Sequence, residues 1–553
     1  MEKLKPKLFS VLKHYSKEQL LKDITAGIIV AIIALPLSIA LAIASGVNPE
    51  RGLYTAIIAG FFISFFGGSR VQIGGPTAAF VVIIYGIIQE HGMNGLIIAT
   101  IMAGFLLIIM GLLRFGTLIK FIPYTITTGF TAGIAVGIFA GQIKDFLGLS
   151  MGSVPSEFLE KMKAYAEHIT TINWSALLIG AISLLILILW PKVTDKIPGS
   201  LIAVIVSTLI VKFSGMNVST IGSVYGELSS KFPTMQIPDL NFHTIKSLFQ
   251  PALTIAILAG IESLLSCVVS DGMIGSKHRS NMELIAQGIG NIFSSLFGGL
   301  PATGAIARTA ANVKNGGRTP IAGIVHSITL LLILLVLMPL AALIPMPTLA
   351  AVLIMVAYNM SEWRVFVNLV KTAPKSDIIV LVTTFLLTVI FDLVVAIEVG
   401  VVLTALLFMK RMADVTDIKG WKYIQEEDSD NESDSENINL KVVPKHTLVY
   451  EITGPMFFAA ADKFMEITNA NEAHIKVIIL RMRSVGAMDV TALHTLENIE
   501  RICRKKNITL LFSHVQEQPF SVMTKAGFYQ KIGQENFCKN IDEALQKAEM
   551  LAA

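Results

Sequence analysis

Between residues 24 and 410 the chain is a succession of apolar segments, and that feature removes most folds from consideration. Inside lipid no water pairs with backbone N–H and C=O groups, so a spanning chain must be helical or closed into a barrel. Continuous apolar text without strict alternation selects helices, and a span needs about 20 residues, fewer where it is buried or broken. Fourteen segments are read: 24–45, 53–66, 75–89, 95–113, 122–143, 173–190, 198–213, 252–271, 283–297, 304–313, 319–344, 347–360, 377–391 and 393–410. Charged residues make up 15% of the chain, and the deficit lies before residue 412. The expectation is a polytopic α-helical membrane protein with a polar C-terminal domain. Cys267, Cys503 and Cys538 form no C-x-x-C, so neither a zinc site nor a disulfide framework is indicated, and no cofactor is expected.

Charge sets the orientation. The start, MEKLKPKLFSVLKHYSKEQLLKD, is basic and amphipathic with no small-residue cleavage site, and reads as an uncleaved cytoplasmic lead-in over 1–23. Alternating from there puts Arg70, Arg114, Lys120, Lys192, Lys196, Lys277, Arg279, Lys314, Arg318, Arg364, Lys371 and Lys375 in inside loops, with an exit at Lys410 and Arg411. Fourteen is even, so the tail is expected in the cytoplasm.

Two segments are broken. FFGGSRVQIGGPTAAF at 65–80 has a cousin, LFGGLPATGAIARTAA, at 296–311. Shifting the first, fourth and fifth segments by the same interval lands them on or beside the eighth, eleventh and twelfth. The membrane part therefore reads as two halves of seven, and an odd number inverts the second half. Inverted repeats with short Gly/Pro-interrupted segments at matching places point to a transporter's binding site. Residues 67–75 are expected to rise as extended chain to a half-helix starting near Pro76, since proline suits a first helical position. Residues 298–303 are expected to descend to a second half-helix starting near Gly304. Two helix amino ends meeting at mid-bilayer offer free N–H groups and positive dipole ends, an anion site. Thr77, Ala78, Ala79, Ala305, Ile306 and Ala307 would form it; the alternative for the small residues is tight helix packing.

Ionisable groups in mid-bilayer are functional candidates by default. Glu262, in ILAGIESLLSCVV, is taken as the proton-coupling carboxylate, the alternative being a protonated acid bonding across helices. Ser266, one turn on, would line the same cavity. Arg308 would add a third positive element; alternatively it faces the vestibule or pairs with an acidic group. Pro36 kinks the first segment and would set Leu37 and Ser38 beside the cavity. Lys22, Asp23 and Asp392 are expected at the interface, and His326 as a satisfied core histidine.

The tail opens with QEEDSDNESDSEN at 425–437, which holds seven acidic residues and no apolar ones, and reads as a disordered loop. Beyond it HTLVYEITGP, IKVIILRM and ITLLFSHV read as strands. FFAAADKFMEITNA, DVTALHTLENIERICRKK and NIDEALQKAEML read as helices. The result is a small α/β domain without a phosphate loop or catalytic triad, regulatory rather than enzymatic.

RGLYTAIIAGFFISFFGGSRVQIGGPTAAFVV at 51–82, IESLLSCVVSDGM at 261–273, GAIARTAANVKNGGRTP at 304–320 and the tail together resemble the SulP (solute carrier 26) anion transporters with a C-terminal STAS domain. GGSRVQIGGPTAAFVV, APKSDIIV, AYNMSE and GPMFFAAA are similar to the bacterial branch that carries C4-dicarboxylates under aerobic conditions. The resemblance implies a seven-plus-seven fold of core and gate (24–412), a STAS domain at 413–553, a homodimer, and a place in the inner membrane of a bacterium. It implies an elevator movement, and a site between the third and tenth segments that includes Glu262 and Arg308. Leu37 and Ala307 stand where many members have glutamine and serine, which removes polar groups and suits a larger organic anion. Thr491, after Asp489, matches the position of the STAS phospho-switch, though Ala492 replaces its usual glycine. The function expected is proton-coupled (rather than sodium-coupled) uptake of dicarboxylates such as fumarate or succinate. The alternatives are a sulfate or bicarbonate carrier, or an anion channel or membrane-anchored STAS signalling platform with a cytosolic STAS partner. Nucleic acid is not an expected partner.

Overall fold

The structure, a computed structural model, describes residues 4–117, 123–194, 197–239, 241–391, 393–415, 417–422, 441–457 and 475–552. The acidic loop, Asp392 and nearly all of the helix read at 457–470 lie outside the described residues. Two compact units, Met1–Val401 and Val402–Ala553, divide the chain.

A helix lies at each of the fourteen segments, the last of them running past Val401. They are α1 (Lys17–Ala44), α2 (Pro49–Phe66), α3 (Val81–Leu112), α4 (Tyr124–Gly141), α5 (Trp174–Val193), α6 (Gly199–Ser214), α7 (Phe249–Ile274), α8 (Ser280–Leu296), α9 (Ile306–Lys314), α10 (Ile321–Ala341), α11 (Met346–Ser361), α12 (Lys375–Ile390) and α13 (Leu393–Val415). The third and fourth segments are joined in α3 and parted at Gly92, whose φ of 63° only glycine adopts readily. Among the described residues, seven helices are long and apolar enough to cross a bilayer. The first begins at Lys17, earlier than the apolar text. Ser16 accepts a hydrogen bond from the Gln19 amide (3.1 Å), and Lys22 pairs with Glu18 (2.6 Å), so polar residues extend the helix by one capped turn and more.

The helices sort into two packed groups. In one, α8 packs on α2 and α3, α10 on α1 and α2, and α7 on α3 and α9; in the other, α12 packs on α4, and α11 on α4 and α5. Small residues make the close approaches. A Cβ on Gly52 would fall 1.9 Å from the Ser38 carbonyl, and one on Gly104 2.7 Å from the Gly288 carbonyl. Helix association in lipid rests on such backbone contact, because the tails are as apolar as the helices.

Within the first group two extended segments cross as a two-residue antiparallel ladder, β1 (Gly74–Gly75) with β2 (Thr303–Gly304), pairing Gly74 with Gly304 and Gly75 with Thr303. Irregular backbone at this depth is tolerated only when its polar groups are paired. Here the Ala305 amide reaches the Ile73 carbonyl (3.0 Å) and the Ile73 amide the Thr309 hydroxyl (3.1 Å).

The second unit contains a five-stranded sheet in the order β3 (Asp417–Lys422), β4 (Thr447–Thr453), β5 (Val477–Ser484), β6 (Thr509–Ser513), β7 (Phe537–Cys538). The first pairing is antiparallel and the rest parallel. Helices α14 (Val490–Lys505), α15 (Glu517–Lys525) and α16 (Ile541–Ala552) accompany it. Leu448, Ile478, Leu480 and Phe512 meet Leu496 and Met523 in one core; Val449, Ile479 and Leu511 meet Ala544 and Ala548 in another. The strands are apolar on both sides because both faces are covered.

Candidate functional site

The ladder sets two helix starts side by side. In the first broken segment the chain stays extended through Thr77 (φ −125°, ψ 156°), a 3-10 turn covers Ala78–Phe80, and α3 follows. Pro76 therefore lies before the helix rather than at its first position. Its carbonyl accepts a hydrogen bond from Arg308 Nη2 (2.6 Å), which holds it in the extended segment. In the second, Gly304 is held in the ladder, Ala305 is the N-cap, and α9 starts at Ile306.

Neither start has a side-chain cap. Alanine cannot supply one at 305. Thr77 could, but its hydroxyl donates instead to Glu262 Oε2 at 3.0 Å. The first-turn N–H groups at both starts thus have no acceptor from the usual source. Pro76, Ala78 and Ala79 are buried, Thr77, Ala305 and Glu262 half-buried, and Ile306 and Ala307 exposed. A cavity of about 560 Å³ opens beside the first turn of α3, with Val81, Val82, Tyr85, Asp145 and Lys161 in its walls.

Arg308 takes neither of the two alternative positions. It is only 2% exposed, so it does not face a vestibule, and no ion pair to a carboxylate is found among the described residues. Its guanidinium lies behind β1: a Cβ on Gly75 would fall 2.1 Å from Nη1. Beyond the bond to Pro76, Nε and Nη1 have no hydrogen-bond partner. A buried cation without a counter-charge carries a large desolvation cost.

The remaining expected residues are placed as follows. Leu37 is half-buried on α1, whereas Ser38 is fully buried where α1 packs on Gly52 of α2. Ser266 is buried, its hydroxyl 3.4 Å from that of Thr309. Thr491 is exposed in the first turn of α14, where the Asp489 carboxylate accepts from the Ala492 amide (2.8 Å). His326 is fully buried but not satisfied, since neither ring nitrogen has a hydrogen-bond partner.

Two carboxylates differ from the sequence reading. Asp23 is not at the interface. It is fully buried on α1 and accepts from Tyr15 (2.8 Å), Gln19 (2.9 Å), the Arg318 amide (2.8 Å) and the Thr319 hydroxyl (2.5 Å), clasping the turn before α10. Glu283, on α8, was not singled out. It accepts from the Gly68 and Ser69 amides (2.8 and 3.0 Å) and from Gln72 and Gln287 (3.0 and 2.9 Å), anchoring the chain that leads into β1. The stripe Glu283, Gln287, Asn291, Ser294 at helical spacing in apolar text was its signal.

Comparison with known proteins decides the class. Residues 20–384 match the sulfate permease family model and residues 437–544 the STAS domain model. The chain belongs to the sulfate permease family. Among its relatives, the Bacillus subtilis (strain 168) protein named "Putative sulfate transporter YvdB" is 42% identical, with 96% of this chain and 98% of that one aligned. The "Bicarbonate transporter BicA" of Picosynechococcus sp. is 30% identical over 95% and 94%. Among solved structures, murine solute carrier 26 family member A9 in the inward-facing state has a TM-score of 0.88 over 99% of this chain and 94% of that one; at 19% identity it shows the fold. The transmembrane domain of a cyanobacterial BicA has a TM-score of 0.63, 29% identity, and covers 69% and 98%. The protein is thus a helical membrane transporter with a C-terminal STAS domain. The relatives described here are named for sulfate and bicarbonate, not for dicarboxylates.

Proposed function

We propose that the chain is a secondary active carrier of a small oxyanion, sulfate or bicarbonate in size, bound at the uncapped starts of α3 and α9. The observation that carries this reading is the charge balance. Two helix amino ends start from one ladder, the Arg308 guanidinium lies behind it against Pro76, and among the described residues no acidic side chain pairs with the arginine. A bound anion supplies the missing negative charge and acceptors for the N–H groups of Thr77–Ala79 and Ile306–Arg308. Glu262 is the coupling group: its carboxyl sits on the rim of the same site and already bonds to Thr77, so proton binding and anion binding act on one residue. The two helix groups act as core and gate of an inverted seven-plus-seven repeat. The core carries the anion past the gate by an elevator movement, in a homodimer with its STAS domains in the cytoplasm.

A second reading, uptake of C4-dicarboxylates such as fumarate or succinate, is favoured by the apolar surroundings. Ile306 and Ala307 present exposed carbon rather than hydrogen-bonding groups at the start of α9, which suits an anion with an apolar middle.

Proteoliposome uptake of labelled sulfate, bicarbonate and fumarate, with and without a pH gradient, separates these readings. Glu262→Gln is expected to abolish gradient-driven accumulation while retaining exchange of the same anion. Unchanged accumulation in that variant removes Glu262 from the mechanism, and no uptake of any anion by the parent removes the carrier reading.

A further inference from the structure

The N-terminal segment is not a loose lead-in. Leu8 is buried, and Phe9 meets Phe65 edge-on at 6.0 Å between centroids. The Lys7 amide donates to the Gly67 carbonyl (2.8 Å), and its ammonium to the Lys277 carbonyl (2.7 Å). Arg279 Nη1 donates to the Lys5 carbonyl (2.6 Å), Nη2 to the Ser10 hydroxyl (3.1 Å), and its amide to the Gly68 carbonyl (3.0 Å). The segment is therefore a strap across two turns, 67–70 and 275–279.

The strap gathers positive charge. Burial first, then the guanidiniums of Arg279 and Arg70, push the Lys7 ammonium below its ordinary range, and Asp271 opposes them. Asp271 is already engaged: its Oδ2 accepts from the His278 amide and lies against the His278 ring, each at 2.7 Å. Arg70 Nε is buried with no hydrogen-bond partner. Beside these cations Leu4, Phe9 and Leu12 are 45%, 44% and 46% exposed, a row of apolar side chains on the same short segment.

We infer that the strap and the turn at Arg70 form a binding site for the phosphate headgroup of an anionic phospholipid. The phosphate is held by Lys7, Arg70 and Arg279, and the acyl chains lie on Leu4, Phe9 and Leu12. A phosphodiester matches the guanidinium donors, and the adjoining hydrocarbon matches what the exposed side chains need. Free phosphate satisfies the cations alone, which is why the lipid is the assigned source. Because the 67–70 turn feeds β1 and is clasped by Glu283, occupancy stiffens the approach to the crossing ladder.

The test uses the full chain in nanodiscs of phosphatidylcholine, with and without phosphatidylglycerol, read by hydrogen exchange. Phosphatidylglycerol is expected to slow exchange over residues 4–13 and 67–70, and inorganic phosphate added to phosphatidylcholine discs is not. Arg70→Gln is expected to weaken the lipid dependence about fivefold, the effect of one cation at an anionic surface. Lys7→Gln, whose backbone bond to Gly67 remains, repeats the measurement should the first variant fold poorly. Equal exchange in both lipids, full protection by phosphate alone, or unaltered lipid dependence in both variants overturns the assignment.

Discussion

The two broken segments share a backbone plan and differ in chemistry. Both pass from a tight turn into extended chain, pair across one ladder and start a helix without a side-chain cap. The first, 67–81, has no charged group after Arg70, and its one cap-forming side chain is turned to Glu262 on α7. The second, 298–306, leads straight into Arg308 in the first turn of α9, buried behind the opposite strand. One half thus meets a carboxylic acid on a neighbouring helix, and the other carries a guanidinium of its own. The comparison teaches that the halves are not interchangeable copies: on the proposed reading the second supplies the fixed charge and the first the link to Glu262.

Substitutions can break that division. Arg308→Gln should have the largest effect, removing the fixed charge and its bond to Pro76. Anion affinity by isothermal titration should fall about a hundredfold, near 3 kcal/mol. Retained affinity would mean that the helix ends suffice. Gly75→Ala and Gly304→Ala should come next, because their Cβ atoms would fall 2.1 Å from Arg308 Nη1 and 2.0 Å from Gln72 Nε2. Each should cost about 1–3 kcal/mol in thermal unfolding. If only Gly75→Ala also loses anion affinity, the first segment is what positions the arginine.

Glu283→Gln sharpens the contrast further. It turns one acceptor toward the Gly68 and Ser69 amides into a donor, costing about 1–3 kcal/mol of stability. Its effect on hydrogen exchange should centre on 67–70 and spare 298–302. Thr77→Ala should be the mildest, about 1 kcal/mol for one hydrogen bond. The signature is a changed pH profile of uptake with Thr77→Ser close to the parent; an unchanged profile would detach Glu262 from the first segment.

Much of this was legible in the sequence. Uninterrupted apolar text has few solutions in lipid, so helices fall at every segment read, and glycine with proline marks both breaks. The 3-10 turn leading into α3 and the start of α9 each come two residues late because partners distant in sequence decided them: Arg308 holds Pro76 extended, and the Gly74–Gly304 pairing holds Gly304 in a strand. No local pattern reports a two-residue ladder whose strands lie more than 200 residues apart. Asp23 was placed wrongly and Glu283 passed over for a related reason. Each stands near the end of its apolar segment, where lipid is not the issue, yet both are fully buried by neighbouring chain. In the second unit β3 and β7 escaped notice because one alternates weakly and the other is two residues long.

The crossing ladder also limits how selectivity can drift. Parting its strands to admit a bulkier solute would strand backbone groups in a solvent that offers them no partner, so the cradle's width is fixed. On the proposed reading, preference among anions is rewritten around its edge, at Ile306 and Ala307, where exposed side chains change without loosening the stitch. Relatives that differ in cargo should therefore differ at those positions while keeping Gly74, Gly75 and Gly304.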